Sequence, residues 1–342
     1  MEKKNSILAN YIDMMLPAVE SELKRALLPV RMAELAGLFQ MCAYHLGWEG
    51  EGAGAEARGK RIRPLLLLLT TAAAGGNWEN ALPAAAAVEL VHNFSLIHDD
   101  IEDNSPTRRG RPTVWQKWGI AQAINTGDAM FTLAHLSVLR LGESTSSASV
   151  LQSAQILQTT CLRLTQGQYL DISYEARGDL NLDAYWSMVS GKTAALLSTC
   201  AELGSLIANA SEQRQEAFRD FGHSLGLAFQ AQDDLLGIWG DSALTGKSTE
   251  GDLLTGKKSL PVLYGLSQQA AFAHRWEQGR ISAEEVPVLA EQLKAEGALD
   301  YTQTVVEELT VQALHALEHA RPQGEAGQAL HELAEKLLTR RY

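Results

Sequence analysis

The chain has 342 residues, is 46% hydrophobic and carries a net charge of −12. The length allows two domains or one large domain, and the apolar content is sufficient for a core. The acidic balance argues against nucleic-acid binding through a general basic surface, so we expect no nucleic-acid partner. An anionic small substrate therefore requires a local basic site or metal ions.

The predicted elements are helices joined by short breaks, because Ala and Leu dominate while β-branched and aromatic residues are few. Two amphipathic helices are predicted within 6–46, broken near Pro29, followed by a Gly- and Ala-rich loop over 48–59. The next helix starts near Pro64 and ends at Gly75, and another runs from Pro83 to about Asn104. Further helices are predicted at 118–140, 147–176, 182–208, 212–238 and 258–271, with two or three more over 282–341. Segments 105–112 and 240–258 do not fit a helical pattern, and no run of alternating strands occurs.

Cysteine usage and hydropathy indicate a cytoplasmic location. Cys42, Cys161 and Cys200 are widely spaced and fit neither a zinc pattern nor a disulfide framework, as in proteins of a reducing compartment. The N-terminal stretch MEKKNSILANYIDMMLP lacks the apolar core of a signal peptide. The longest apolar run, 64–69, is too short for a membrane span.

The stretch LIHDDIEDNSPTRRG, residues 96–110, combines clustered acids with two following arginines. On a helix, Asp99 and Asp103 lie on one face, one turn apart, while Asp100 and Glu102 point to the sides. Two carboxylates so placed can hold a hard cation such as Mg²⁺, which takes one or two protein carboxylates. The alternative is a solvated acidic surface.

A second acidic pair, Asp233-Asp234, ends another apolar helix, and Asp241 follows the break. A charged pair there is unfavourable unless the helix end opens on water or a cavity. Both acidic pairs are followed by basic segments, and Arg and Lys suit phosphate oxygens. Lys192, inside an apolar helix, is predicted either to reach solvent or to pair with an anion.

Taken in order, six segments resemble the trans-isoprenyl diphosphate synthases, or polyprenyl synthetases, over residues of about 59–265: GKRIRP, HNFSLIHDDIEDNSPTRRGRPTVW, GQYLD, GKTAALL, FQAQDDLLGIWGD and GKKSLPV. The resemblance implies a single domain over 1–342, an all-α bundle of the isoprenoid synthase type around a deep central cavity. It also implies a homodimer. The implied reaction is Mg²⁺-dependent condensation of isopentenyl diphosphate with dimethylallyl, geranyl or farnesyl diphosphate.

The resemblance also implies roles for individual residues. The metal ligands are expected to be Asp99 and Asp103 for two Mg²⁺ ions and Asp233 for a third. The allylic diphosphate is expected to contact Arg108, Lys192 and Lys247, with Lys257 close by. Residues near the reacting carbon are expected to be Thr193, Gln230, Gln168 and Asp171. The site for isopentenyl diphosphate is expected to be formed by Lys60, Arg63, His92 and Arg109.

The chemistry agrees with this set of residues. Cleaving a C–O bond to release diphosphate requires neutralisation of developing negative charge, which metal ions, Lys and Arg supply. The resulting allylic cation must be kept from water, and apolar helices can do so. No side-chain nucleophile is required, so we assign no acid–base dyad.

One position departs from the family pattern. The family's second motif usually reads DDxxD, but its last position here is Gly237. Asp233, which carries the direct metal role in the family, is retained, and Asp241 is a candidate partial substitute. The alternative is an impaired or regulatory subunit. Such a subunit is expected to lack parts of the first motif or its arginines, which this chain keeps.

Product length is expected to depend on Phe94 and Ser95. They lie five and four residues before Asp99, about 6–8 Å below it along a helix, and in the family a bulky aromatic residue at the first of these positions limits the chain. We expect geranylgeranyl diphosphate (C20), then farnesyl diphosphate (C15). If Phe94 only packs the core, longer products follow.

Two other function classes remain open. A class I terpene cyclase shares the acidic motifs but needs no second diphosphate site. A helical scaffold with solvated acidic faces would leave Lys192 without a partner.

Overall fold

The computed structural model describes residues 6–240 and 251–338, and these form an all-α fold, as predicted. Its one two-stranded sheet pairs β1 (Thr107–Arg108) with β2 (Arg111–Pro112). In chain order the helices are α1 (Ile7–Ala26), α2 (Ala36–His45), α3 (Ala55–Arg58), α4 (Ile62–Ala73), α5 (Leu82–Glu102), α6 (Val114–Trp118), α7 (Ile120–Leu139), α8 (Ser147–Glu175), α9 (Leu182–Val189), α10 (Ala195–Ile207), α11 (Glu212–Trp239), α12 (Gly251–Thr255), α13 (Leu260–Ser267), α14 (Ala271–Trp276), α15 (Val286–Ala295), α16 (Ala298–His319) and α17 (Gly324–Leu338).

The chain forms two compact units, each assembled from separate stretches. Unit 1 contains residues 1–159, 200–215 and 322–330. Unit 2 contains residues 160–199, 216–321 and 331–342. A single domain over 1–342 stays a prediction.

The core of unit 1 is built around α5. Pro83 lies in the first turn of this helix, where its missing N–H has no intrahelical partner to lose. The alanines at 84–87 are fully buried, and such small side chains let neighbouring helices approach closely. On α7, Gly127 lies so near α5 that a Cβ there would be 2.3 Å from Nε2 of His98. This contact secures the turn of α5 that carries Asp99.

In unit 2, α11 carries the second acidic pair close to its C-terminal end. Two glycines allow close packing on the preceding helical segment. A Cβ on Gly226 would lie 2.5 Å from Cα of Ala194, and one on Gly222 would lie 2.6 Å from the carbonyl oxygen of Leu197. The C-terminal part of α11 also joins apolar clusters with α12 to α16.

Three predicted segments differ from the structure. The helix predicted over 182–208 is interrupted by a π-helical stretch, Ser190–Ala194, between α9 and α10. Within the segment predicted to be non-helical, α12 forms and ends at Gly256, whose φ of 74° is left-handed. The predicted helix 258–271 is shorter, because Pro261 occupies the first turn of α13 and Gln269 has a φ of 51°.

Two further features concern the cysteines and the apolar character of the helices. The three cysteines are free and buried. No helix among the described residues combines the length and apolar character needed to cross a membrane.

Candidate active site

The first acidic motif divides into two kinds of carboxylate. Asp100 is 1% exposed and accepts a hydrogen bond from Nε of Arg108 at 2.8 Å. Burial raises the pKa of Asp100, although the Arg108 guanidinium opposes this. Asp99 is half-buried in the last turn of α5, and Asp103 is exposed at its C-cap. Asp100 therefore anchors the following loop, while Asp99 and Asp103 lie toward solvent.

The two arginines after this motif are placed by a tight hairpin. Arg108 pairs with Arg111 across the two strands, and Arg109 and Gly110 form the turn with φ values of 51° and 72°. Two consecutive positive φ angles are typical of a type I′ turn, which matches the twist of the paired strands. The turn therefore sends Arg108 back to Asp100 on α5.

Arg109 and Arg111 hold the predicted loop 48–59. Nη1 of Arg109 donates to the carbonyl oxygen of Ala57 at 2.9 Å, and a Cβ on Gly59 would lie 2.6 Å from its Nη2. Buried Arg111 donates to the carbonyl oxygens of Tyr44, Glu49 and Glu51. The loop contains the short helix α3 and is anchored at both ends of its Gly-rich stretch.

The three basic residues of the segment GKRIR differ in burial and in their partners. Arg61 is buried, has a left-handed φ of 48°, and forms ion pairs with Glu20 and Glu89 at 2.8 Å each. Lys60 is exposed. Nη1 of Arg63 lies 3.2 Å from Nε2 of His92. Burial, followed by the nearby Arg63 guanidinium, lowers the pKa of His92 well below its usual value, so His92 is a neutral acceptor at pH 7.

Phe94 and Ser95 lie on α5 one turn before Asp99. The Phe94 ring centroid is 5.1 Å from that of His98 and 4.9 Å from that of Phe131 on α7. The hydroxyl of Ser95 donates to the carbonyl oxygen of His92 within the helix. Phe94 is half-buried, so it both packs against α7 and presents part of its ring outward.

In unit 2, the π-helical stretch places Lys192 against α8. Nζ of Lys192 forms an ion pair with Asp171, with both side chains about three-tenths exposed. A Cβ on Gly167 would lie 2.2 Å from the backbone nitrogen of Lys192, so the two segments touch at backbone distance. Of the two predicted alternatives for Lys192, solvent or an anion, the structure shows an anionic partner, Asp171. The claim that a scaffold would leave it without a partner is wrong, because Asp171 supplies that partner.

A chain of hydrogen bonds connects Thr193 to the second acidic motif. Oγ1 of Thr193 donates to Oε1 of Gln230 at 2.8 Å, and Nε2 of Gln230 donates to Oδ1 of Asp234 at 2.8 Å. Oδ2 of Asp234 accepts from the hydroxyl of Tyr185 at 2.7 Å and from the backbone N–H of Leu260 at 3.0 Å. Gln230 is thus fixed in one orientation.

The two aspartates of the second motif therefore differ in burial, as those of the first motif do. Asp234 is 1% exposed and held by several donors, whereas the neighbouring Asp233 is half-buried. Nζ of Lys257 lies 3.6 Å from Oδ1 of Asp234 and 4.0 Å from Oδ1 of Asp252. Gln168 lies one turn before Asp171 on α8 and is half-buried. Lys247 and Asp241 lie outside the described residues.

Sequence reasoning missed four residues with structural roles at these sites: Arg61, Arg111, Tyr185 and Asp252. Arg61 and Arg111 stand among other basic residues, and nothing in the local pattern distinguishes them. Tyr185 lies 49 residues from its acceptor, Asp234, in the sequence. The sequence did offer a signal for Asp252, which is an acidic residue shortly before the segment Gly256-Lys257-Lys258.

The carboxylates of each unit, taken separately, suit a hard divalent cation. In unit 1, Asp99 is half-buried and Asp103 is exposed; in unit 2, Asp233 is half-buried. Among the described residues no group of three or more His, Cys, Asp or Glu side chains is arranged to hold a metal. Mg²⁺ suits such carboxylates, because it takes one or two protein carboxylates and completes its shell with water and phosphate oxygens.

Comparisons with known proteins give a consistent result. A family model described as "Polyprenyl synthetase" matches residues 53–292. The chain is 44% identical over 239 residues to geranylgeranyl diphosphate synthase of Mycobacterium tuberculosis (strain ATCC 25618 / H37Rv), covering 69% of this chain and 67% of that protein. It is 43% identical over 235 residues to (2E,6E)-farnesyl diphosphate synthase of Mycobacterium bovis (strain ATCC BAA-935 / AF2122/97), covering 68% and 64%. The matched stretches thus span about two thirds of these relatives' own lengths.

Among solved structures, the fold is similar to that of a polyprenyl synthetase from Streptomyces coelicolor A3(2). The TM-score is 0.87 at 34% sequence identity, and the match covers 96% of this chain and 99% of that one.

Proposed function

Because the chain belongs to the polyprenyl synthetase family, we propose that it is a trans-prenyltransferase. It condenses an allylic diphosphate head-to-tail with isopentenyl diphosphate and releases diphosphate. The observation that carries the proposal is the shared design of the two acidic motifs. In each, the second aspartate is buried and held by protein donors, whereas the first is only half-buried.

We further propose that Asp99, Asp103 and Asp233 hold Mg²⁺, with three ions expected from the family resemblance. When bound, the ions neutralise the diphosphate leaving group. The Asp100 carboxylate accepts a hydrogen bond from Nε of Arg108 and so orients the remaining donors of that guanidinium toward the diphosphate. Asp171 forms an ion pair with Lys192, so contact of Lys192 with the diphosphate would exchange one anionic partner for another.

The remaining groups of unit 2 act near the reacting carbon. The hydrogen bond from Thr193 and the one to Asp234 fix the Gln230 amide, whose oxygen dipole stabilises positive charge on the allylic fragment. Gln168 and Asp171 lie on α8 as further polar neighbours. Lys247 and Lys257 complete the diphosphate contacts in this proposal.

Isopentenyl diphosphate is proposed to bind Lys60, Arg63, His92 and Arg109. Neutral His92 accepts from Arg63 and leaves the guanidinium fully charged for the substrate. The double bond then attacks C1 of the allylic fragment as the C–O bond to diphosphate breaks. The proton at C2 of the added unit leaves to the departing diphosphate, so the protein supplies no base.

The activity is tested by incubating the protein with isopentenyl diphosphate and C5, C10 or C15 allylic diphosphates, with Mg²⁺ or with excess EDTA. Consumption of isopentenyl diphosphate only with Mg²⁺ supports the proposal. A class I terpene cyclase would instead convert the allylic diphosphate alone to a hydrocarbon or alcohol. The cationic set of exposed Lys60 and Arg109 with half-buried Arg63 favours the prenyltransferase.

The proposed product is geranylgeranyl diphosphate, then farnesyl diphosphate, because Phe94 narrows the space before Asp99. Phe94→Ala is expected to lengthen the product by at least one C5 unit, since it removes a ring that packs on Phe131. Mass spectrometry of the products measures this. Phe94→Tyr keeps the ring and should leave the product unchanged. An unchanged product distribution in Phe94→Ala means that Phe94 only packs the core and that another residue sets the length.

We propose a cytoplasmic homodimer that forms through the solvent face of α7. The helix exposes four large apolar side chains, in one pair near each end: Ile120 with Ile124, and Leu136 with Leu139. Exposed apolar side chains grouped in this way on one helix support α7 as the interface.

Leu136→Lys combined with Ile124→Lys is expected to halve the mass measured by light scattering, because both charges would be buried in the interface. Val311→Lys, at a residue 65% exposed on α16, is the matched control and should keep the wild-type mass. A wild-type protein that is already monomeric at micromolar concentration refutes the dimer.

A further inference from the structure

The space at Gly237 is occupied by a carboxylate from another helix. A Cβ on Gly237 would lie 2.7 Å from Oδ2 and 3.0 Å from Cγ of Asp252. Gly237 is on α11, one turn after Asp233, and Asp252 is on α12. Separations this short are not tolerated between packed atoms, so a side chain at position 237 and the present position of Asp252 exclude each other.

An aspartate at 237 would bring its carboxylate into the same neighbourhood. A carboxylate oxygen of aspartate lies about 2.4 Å from its own Cβ. Oδ2 of Asp252 lies 2.7 Å from the Gly237 Cβ position. Positions 237 and 252 can therefore each bring a carboxylate oxygen close to this point of α11, and the family's DDxxD pattern does so from the first.

The carboxylate of Asp252 also lies beside a cation. Its side chain is 16% exposed, and its Oδ1 is 4.0 Å from Nζ of Lys257. The same ammonium lies 3.6 Å from Oδ1 of Asp234. The backbone N–H of Lys257 donates to the carbonyl oxygen of Asp252 at 2.9 Å, which ties the two residues together. One carboxylate from α11 and one from α12 thus flank the Lys257 ammonium.

We infer that Asp252 supplies the carboxylate that the second acidic motif lacks at Gly237, and that it positions Lys257 beside Asp234. Gly237 is then an adaptation to Asp252 rather than a sign of an impaired motif. The role of Lys257 toward an allylic diphosphate rests on the proposed function, whereas the exchange between positions 237 and 252 rests on geometry alone. Asp252 is a positioning residue, because it acts through Lys257.

The steric exchange is tested without substrate by thermal unfolding. Gly237→Ala is expected to lower Tm by about 2 °C or more, because the methyl group displaces the Asp252 carboxylate. In the Asp252→Ala background the same change should raise Tm, because Ala is the better helix former. Gly37→Ala on α2 is the control, since nothing lies within 4 Å of a Cβ there, and it should act alike in both backgrounds. If Gly237→Ala changes Tm in the same direction in the wild-type and the Asp252→Ala backgrounds, the inference is wrong.

The positioning role is tested by removing the carboxylate at position 252 and then introducing one at position 237. Asp252→Ala is expected to raise KM for the allylic diphosphate about tenfold, equivalent to one weakened ionic contact. The value of kcat and the KM for isopentenyl diphosphate should change far less. Gly237→Asp with Asp252→Ala should recover most of the loss, whereas Gly237→Ala with Asp252→Ala should not.

Failure of that recovery, in variants that unfold like wild type, overturns the positioning role. A wild-type protein that transfers no prenyl group overturns the proposed function instead. In that case the unfolding experiment still decides whether Asp252 occupies the space of residue 237.

Discussion

Asp99→Ala is expected to lower kcat/KM for prenyl transfer about a thousandfold while leaving the helical circular-dichroism spectrum unchanged. Asp99 lies half-buried at the end of α5, and its proposed role is to hold the cation that neutralises the leaving group. Losing such electrostatic stabilisation of the transition state typically costs two to three orders of magnitude. Single-turnover assays at saturating Mg²⁺ measure the loss.

Glu102→Ala is the matched control for that experiment. Glu102 lies on the same helix, three residues later, but is exposed and outside the face shared by Asp99 and Asp103. It should retain nearly full activity. If Asp99→Ala keeps wild-type turnover, or if both variants lose activity equally, the assignment of Asp99 as a metal ligand is wrong.

Substituting the two aspartates of the second motif is expected to have different effects: loss of stability at Asp234 and loss of turnover at Asp233. Asp234→Ala should lower the free energy of unfolding by about 3 kcal/mol or more, because the buried donors of Tyr185, Gln230 and Leu260 lose their common acceptor. Asp233→Asn should change stability by no more than about 0.5 kcal/mol, as expected for a side chain that is not fully buried. It should nevertheless lower turnover about a hundredfold.

Thermal unfolding and steady-state kinetics on the same preparations separate these outcomes. Asp234→Asn serves as an intermediate case, since an amide keeps the shape but loses half of the acceptor capacity. If Asp233→Asn unfolds at a much lower temperature and Asp234→Ala does not, the division of the motif into structural and accessible carboxylates is reversed.

Composition and periodicity sufficed for the all-α fold and most helix positions, because long apolar-periodic segments bounded by Pro and Gly leave few alternatives. They could not predict the π-helical stretch around Lys192. Its formation depends on backbone contact between Gly167 on α8 and the residues Gly191 and Lys192, a long-range effect absent from any local window.

The sequence separated Asp99 from Asp100 by helix periodicity, and the family resemblance favoured Asp233 as a metal ligand. Neither indicated the structural role of Asp100 and Asp234. That role comes from donors such as Arg108, folded back by a hairpin, and from Tyr185. Likewise, Asp252 could be matched to Gly237 only once α11 and α12 were packed together.

The π-helical stretch Ser190–Ala194 has a consequence for how the chain tolerates length changes. A π turn contains one residue more than an α turn and is less favourable, so removing one residue would give a more regular helix. Such a stretch accommodates its extra residue locally, so the flanking helices α9 and α10 would keep nearly the same rotation and only the residues inside the stretch would move. Lys192 and Thr193 lie inside it and would no longer face Asp171 and Gln230. The irregular, less stable helix is therefore the form in which both side chains keep their partners.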